Sequence, residues 1–187
     1  DPNVNFNEYS RIILDVSCNA LSSAIIGKGI YETQDGTVRA SVSWIYYFAP
    51  FVVSHELGHN FGTHHANRMD CLNCESVEYG DEFDVMGASQ QIRHFNAPHK
   101  EEAGWLDNTI TVTEGEYLIK PIETFQPRGS VQQIKIPLTK KPAFYDKSYW
   151  PIDTVYYSLE FRQPIAYDSE MPDSAYTGVF IHLSAVP

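Results

Sequence analysis

Within one eleven-residue stretch, His55, Glu56, His59, Gly62 and His65 have the types and the spacing that bind a metal ion and put it to use. Two histidines four apart on a helix project side by side, so their imidazole nitrogens can take one Zn²⁺ at about 2.0–2.1 Å. Glu56 directly follows the first and lies at the edge of that face, where a carboxylate reaches a metal-bound water without ligating the metal. Glycine at 62 tolerates the left-handed backbone that ends a helix, and the chain it turns back returns His65 as a third ligand. Three protein ligands leave a fourth position for water, which marks a catalytic zinc site; structural sites are closed by four. In a chain with 7 histidines, chance gives HExxH in roughly one sequence in fifty, and adding Gly62 and His65 lowers that to roughly one in twenty-five thousand. His64 falls off this spacing and takes a role beside the ligands or on the surface. The chemistry implied is hydrolysis of a peptide carbonyl by zinc-activated water, with Glu56 as general base and then as proton donor to the leaving amine.

Such a site needs a helix to carry it. Pro50 suits a first helical turn, where its missing N–H removes no bond. Val53, Leu57 and Phe61, spaced by four, predict an apolar packing stripe on a helix running to about Asn60, with His55 and His59 on another face. Upstream, residues 11–17 read as a largely buried strand and 24–31 as a second. Asp35-Gly36 reads as a hairpin turn, and residues 37–47 as a strand with Val38, Ala40, Val42, Trp44 and Tyr46 on its buried face. Gly27-Lys28-Gly29 lacks the third glycine and the following helix of a dinucleotide fingerprint, so it reads as a bulge or a close backbone contact. Downstream, a polar loop runs through Asp84, and 94–105 carries a short helix with Lys100 and Glu101-Glu102 outward. From Thr109 the texture becomes strand-like over 110–122, 131–137, 155–162 and 178–184. Glu160 and Arg162, two apart, are expected on one strand face as a structural pair. The organisation predicted is thus α+β: a catalytic domain over 1–108 and a small β-sandwich-like domain over 109–187.

Composition bounds these readings. At 43% hydrophobic and 13% aromatic residues, the chain has the apolar surface that disordered sequences lack. A net charge of -11 repels polyanions, and no basic patch overrides it, so nucleic acid is excluded as a partner. No apolar run approaches the ~20 residues of a membrane span, so no membrane insertion is expected. Asp1 is no initiator residue and no apolar leader is present, so any targeting segment is expected to have been removed.

The motif resembles the metzincin zinc-binding consensus HExxHxxGxxH. Asp84-Val85-Met86-Gly87 resembles the methionine turn of that clan, which makes Met86 the hydrophobic floor of the site. Within the clan, His65-Ala66, Tyr79-Gly80-Asp81, the methionine turn, His94-Phe95-Asn96, Lys100 and Gly104-Trp105 are similar to the gametolysin-like peptidases, secreted metalloproteases of algae and bacteria. Tyr156 to Arg162 with Asp168 loosely resembles the non-catalytic β-region attached to such enzymes. The resemblance implies a secreted zinc endopeptidase acting on protein or glycoprotein substrates, with a metzincin-like mixed sheet, active-site helix and methionine turn. It also implies that the strand through Ser43, Trp44, Ile45 and Tyr46 aligns substrate along a sheet edge. Ala66 disfavours families with Asp, Glu, Ser or Pro there, and Ala88 stands where astacin-like enzymes carry a switching tyrosine. Only 54 residues precede His55, fewer than an upstream metzincin subdomain holds, so an N-terminally incomplete catalytic domain is among the expectations.

Other features leave alternatives open. Cys71 and Cys74 suit a disulfide, with Cys18 as a competing partner, and the odd thiol hints at a partner outside the chain. Asp81, Glu82 and Asp84 offer too few oxygens to identify a Ca²⁺ site, and solvated loop charge is the simpler reading. A gluzincin-type site would take a downstream Glu such as Glu78 as third ligand. A catalytically silent secreted binding or adhesion protein with a vestigial zinc site is the rival from another class, and retention of Glu56 argues against it.

Overall fold

The computed structural model describes residues 4–17, 21–70, 75–88, 90–140 and 154–185. Cys18, Cys71 and Cys74, and with them the expected disulfide, lie outside the described residues. Mixed α and β structure with few helices and several sheets makes the fold α+β. The chain divides into two compact units, Asp1–His64 and His65–Pro187.

The first unit is built around one long strand. After a 3-10 turn at Phe6–Glu8 come β1 (Arg11–Asp15), β2 (Ser23–Ala24), β3 (Gly29–Thr33), β4 (Gly36–Ile45) and α1 (Pro50–Asn60). β4 pairs antiparallel with β3 along its first half and parallel with β1 along its second, while β2 pairs antiparallel at Ser43 and Trp44. The predicted second strand is therefore two, and the hairpin turn falls at Gln34-Asp35, one residue early, since Thr33 and Gly36 are partners.

Two burial expectations are corrected. β1 is mostly exposed despite its apolar side chains, with Ile13 and Leu14 at 43% and 38%. Hydrophobicity records that a strand can be buried, not that a neighbour covers it. β4 is buried on both faces from Ala40 to Ser43, not on one. Its second face, through Ser43, meets the end of α1, where Asn60 accepts the Ser43 hydroxyl at 2.9 Å. With β1 and β2 both pairing at Ser43 and Trp44, this stretch is interior to the sheet and presents no free edge to a substrate strand.

The second unit opens with a hairpin, β5 (Arg68–Asp70) against β6 (Glu75–Val77), inside the stretch read as a polar loop. A short helix α2 (Ala97–Glu102) follows, capped by Asn96, whose side chain accepts from His99 N–H at 2.9 Å. Lys100 and Glu101 do not point outward: Lys100 Nζ donates to Ile122 O at 2.6 Å, and Lys135 Nζ pairs with Glu101 at 3.0 Å. β7 (Thr109–Thr111), β8 (Gln133–Pro137), β9 (Tyr156–Phe161) and β10 (Val179–Ser184) form a four-stranded sheet in the order β10-β9-β8-β7. Ala97, Leu106 and Ile122 share one buried cluster, so the segments on either side of residue 108 pack together. Glu160 and Arg162 are the expected pair, fully buried, with Arg162 Nε donating to Glu160 Oε1 at 2.7 Å. Among the described residues no helix is long and apolar enough to cross a membrane.

Candidate metal centre

α1 spans the residues that its spacing predicts, but it buries a different side. Val53, Leu57 and Phe61 are only half-buried, whereas Glu56, Gly58, His59 and Asn60 are buried. The reason is polar. Asn60 Nδ2 donates to Ile25 O at 3.0 Å and Val42 O at 3.2 Å, and the His59 carbonyl accepts from Gly27 N–H at 2.8 Å. These bonds draw the last turn of the helix onto β4 and the β2–β3 connection. Gly27 thus makes the close backbone contact expected of it.

The helix ends as Gly62 dictates. Its φ is +107°, a backbone that L side chains rarely adopt. Gly62 N–H donates to His59 O at 2.9 Å and Thr63 N–H to Gly58 O at 3.2 Å, the paired bonds of a Schellman ending. The reversal is local, and it brings His65 back to the helix: ligand nitrogens of His55, His59 and His65 all lie within 4.8 Å of one another. Among the described residues no other group of three such side chains converges. The His55 and His59 rings meet edge to face, with centroids 5.0 Å apart.

Hydrogen bonds choose the ligand atoms. His59 Nδ1 lies 2.9 Å from Thr63 O. A carbonyl only accepts, so Nδ1 carries the proton and Nε2 keeps the lone pair that a metal takes. His65 Nδ1 lies 2.8 Å from Glu78 Oε1, with the same consequence. Glu78 is therefore bonded to one of the three converging histidines and is not itself one of that group. Three imidazole nitrogens, two of them fixed in the metal-binding tautomer, fit Zn²⁺.

Glu56 is 6% exposed, and its Oε2 is buried with no hydrogen-bond partner among the described residues. Burial pushes its carboxyl up to about 7. A carboxyl held in so poorly solvating a place, one residue along the chain from His55, has its charged form disfavoured.

Met86 is fully buried, packed with Ala66, Val85 and Phe95. Its carbonyl accepts from Ala66 N–H at 2.9 Å, so the turn grips the residue that follows His65. Asp84 is no solvated loop charge, because protein donors surround it. It is fully buried, with Oδ1 accepting from Met86 N–H at 2.6 Å and Oδ2 from Asn96 N–H at 2.7 Å and His99 Nδ1 at 2.9 Å. Burial raises the Asp84 carboxyl, but the His99 charge and these bonds outweigh it and hold it below its ordinary value. Gly87 is required by space, because a Cβ there would lie 1.7 Å from Asp81 O.

Sequence reasoning passed over Asn60 and named Glu78 only as an alternative third ligand, not as the partner of His65. Asn60 had one available signal, a polar residue within the motif at the helix end. For its pairing with His65 Glu78 had none, since it lies thirteen residues further along the chain.

A family model described as Gametolysin peptidase M11 matches residues 4–149. No curated protein and no solved structure matches the chain.

Proposed function

The chain belongs to the gametolysin M11 peptidase family, and from that premise we propose that it is a secreted, zinc-dependent endopeptidase of metzincin type. The observation that carries the reading is the convergence of His55, His59 and His65. In this reading they hold Zn²⁺, which when bound supplies Lewis acidity to a water and to the scissile carbonyl. Glu56 takes the proton of the attacking water and delivers it to the departing amine. Its burial leaves the carboxylate poorly solvated and raises its proton affinity, which suits a group that must both accept and return a proton near neutral pH. Thr63 O fixes the His59 ring, and Met86 takes the part of the clan's methionine turn. The substrate is a protein or glycoprotein chain.

The test is metal analysis joined to proteolysis. Purified protein is expected to carry about one zinc per chain and to cleave casein or gelatin until a chelator is added. Glu56→Ala should keep the zinc and lose hydrolysis on the order of 10²–10⁴-fold. Zinc without any cleavage by the unaltered chain would favour the silent binding protein. Equal loss of metal and activity in Glu56→Ala would make Glu56 a ligand.

A further inference from the structure

Resting on the zinc reading above, we propose that Glu78 and Tyr79 are a positioning pair for His65, one bonding its edge and the other stacking on its face, so that Nε2 is the atom left to bind. The β5–β6 hairpin makes this possible. Its register pairs Arg68 with Val77, which folds the residues after Val77 back beside those before Arg68. Glu78 Oε1 then lies 2.8 Å from His65 Nδ1, and the Tyr79 ring centroid lies 3.8 Å from that of His65 with the planes inclined by 33°.

Successive side chains of an extended backbone point to opposite faces, so two neighbours do not ordinarily meet one ring. Tyr79 escapes this because its φ is +60°. The left-handed region is disfavoured for a bulky side chain and persists only where the surroundings impose it. Here Tyr79 N–H donates to Asn67 Oδ1 at 3.1 Å, Ala88 N–H donates to Tyr79 O at 2.7 Å, and Gly80 N–H donates to Val77 O at 3.1 Å. Strain at one backbone position thus turns two adjacent side chains onto one imidazole. A bond at the ring edge fixes the tautomer and the direction of the ring, and a ring lying against its face further limits the tilt.

The Glu78 side chain is 67% exposed. A bond in that setting adds little to global stability, so its effect is read at the metal and not in the fold. Removing such an outer partner costs on the order of 10–100-fold in metal affinity.

The experiment measures zinc affinity of the full chain by competition with a chromogenic chelator, with circular dichroism of the metal-free protein and the visible spectrum of the Co²⁺ form alongside. Glu78→Ala and Tyr79→Gly are each expected to weaken zinc on the order of 10–100-fold and to alter the Co²⁺ spectrum, while the metal-free fold is unchanged. Glu78→Gln keeps an oxygen acceptor and should recover part of the loss. Tyr79→Gly is the sharpest arm, because relieving the strained φ makes the fold no less stable while the metal is held less tightly. Glu75→Gln, which removes one negative charge from the same hairpin, should bind zinc like the unaltered chain. Unchanged affinity in Glu78→Ala and Tyr79→Gly would overturn the pairing while leaving the triad intact. Equal losses in Glu75→Gln and Glu78→Gln would reduce the effect to bulk charge and overturn it too, as would collapse of the metal-free fold in both Glu78→Ala and Tyr79→Gly. Failure of the unaltered chain to bind zinc would instead defeat the triad reading on which the pairing rests.

Discussion

Asn60 shows how much one polar side chain can settle. It is 4% exposed, and its amide joins α1 to Ile25, Val42 and Ser43. Asn60→Ala leaves the buried Ser43 hydroxyl and the part-buried Ile25 O without these partners, and the expected cost is roughly 1–3 kcal/mol, read from urea unfolding. The last helical turn also loses its anchor, so zinc affinity should fall in the same variant. The convergence of the three histidines was legible because helix geometry and the reversal at Gly62 tie it to spacing in the sequence itself. The bonds of Asn60 and the pairing of Glu78 with His65 were not, because a hydrogen-bond partner 35 or 13 residues away leaves no periodic trace.

Among elements, α1 was legible to its ends, since Pro50 and Gly62 punctuate it and both signals are local backbone constraints. Gly62→Ala forces a side chain into φ +107° and should cost about 1–3 kcal/mol, with zinc lost more readily because the reversal that returns His65 is the strained part. Thermal unfolding and metal content measured together check both halves. The β5–β6 hairpin stayed hidden, as its three-residue strands, Arg68–Asp70 and Glu75–Val77, alternate too briefly to register. β1 was found as a strand but misjudged in burial, and the serines of β4 were taken for a solvent face when Ser43 in fact meets Asn60. In each case the pattern recorded the backbone state and the tertiary neighbour decided the exposure.

At the scale of the whole molecule, the later unit is held by buried charge. Arg162 donates to Glu160, to Asp168 Oδ2 at 3.0 Å and to Phe83 O at 2.8 Å, and Glu160 accepts from Ala97 N–H. Arg162→Ala strands two buried carboxylates and should cost roughly 3–5 kcal/mol, measured by denaturant unfolding. For the same reason a chain ended near residue 108 is expected not to fold, as circular dichroism would show: it lacks Arg162, Glu160 and Ile122, on which Phe83, Ala97 and Leu106 depend. The Asp84–His99 pair adds a pH dependence. Burial alone would lower His99, but the Asp84 charge and hydrogen bond, with Glu102 and Asp81 nearby, raise it above 6.5; Asp84 is held below 3.8. The His99 contribution is full below 6.5 and fades as pH climbs through its raised value, while that of Asp84 is full above 3.8 and fades as pH falls through its lowered one. Tm should therefore be highest between those limits, and His99→Gln should flatten the alkaline limb. Buried alongside these ions are Gln132, Gln133, Lys135 and Ser158, so much of what unfolding uncovers in this unit is polar. Newly hydrated apolar surface raises heat capacity and polar surface lowers it, which places the calorimetric increment of this chain below the ordinary ~12–15 cal/mol/K per residue. A small increment means a shallow dome of stability against temperature, and the protein should be nearly as resistant to denaturant in the cold as when warm.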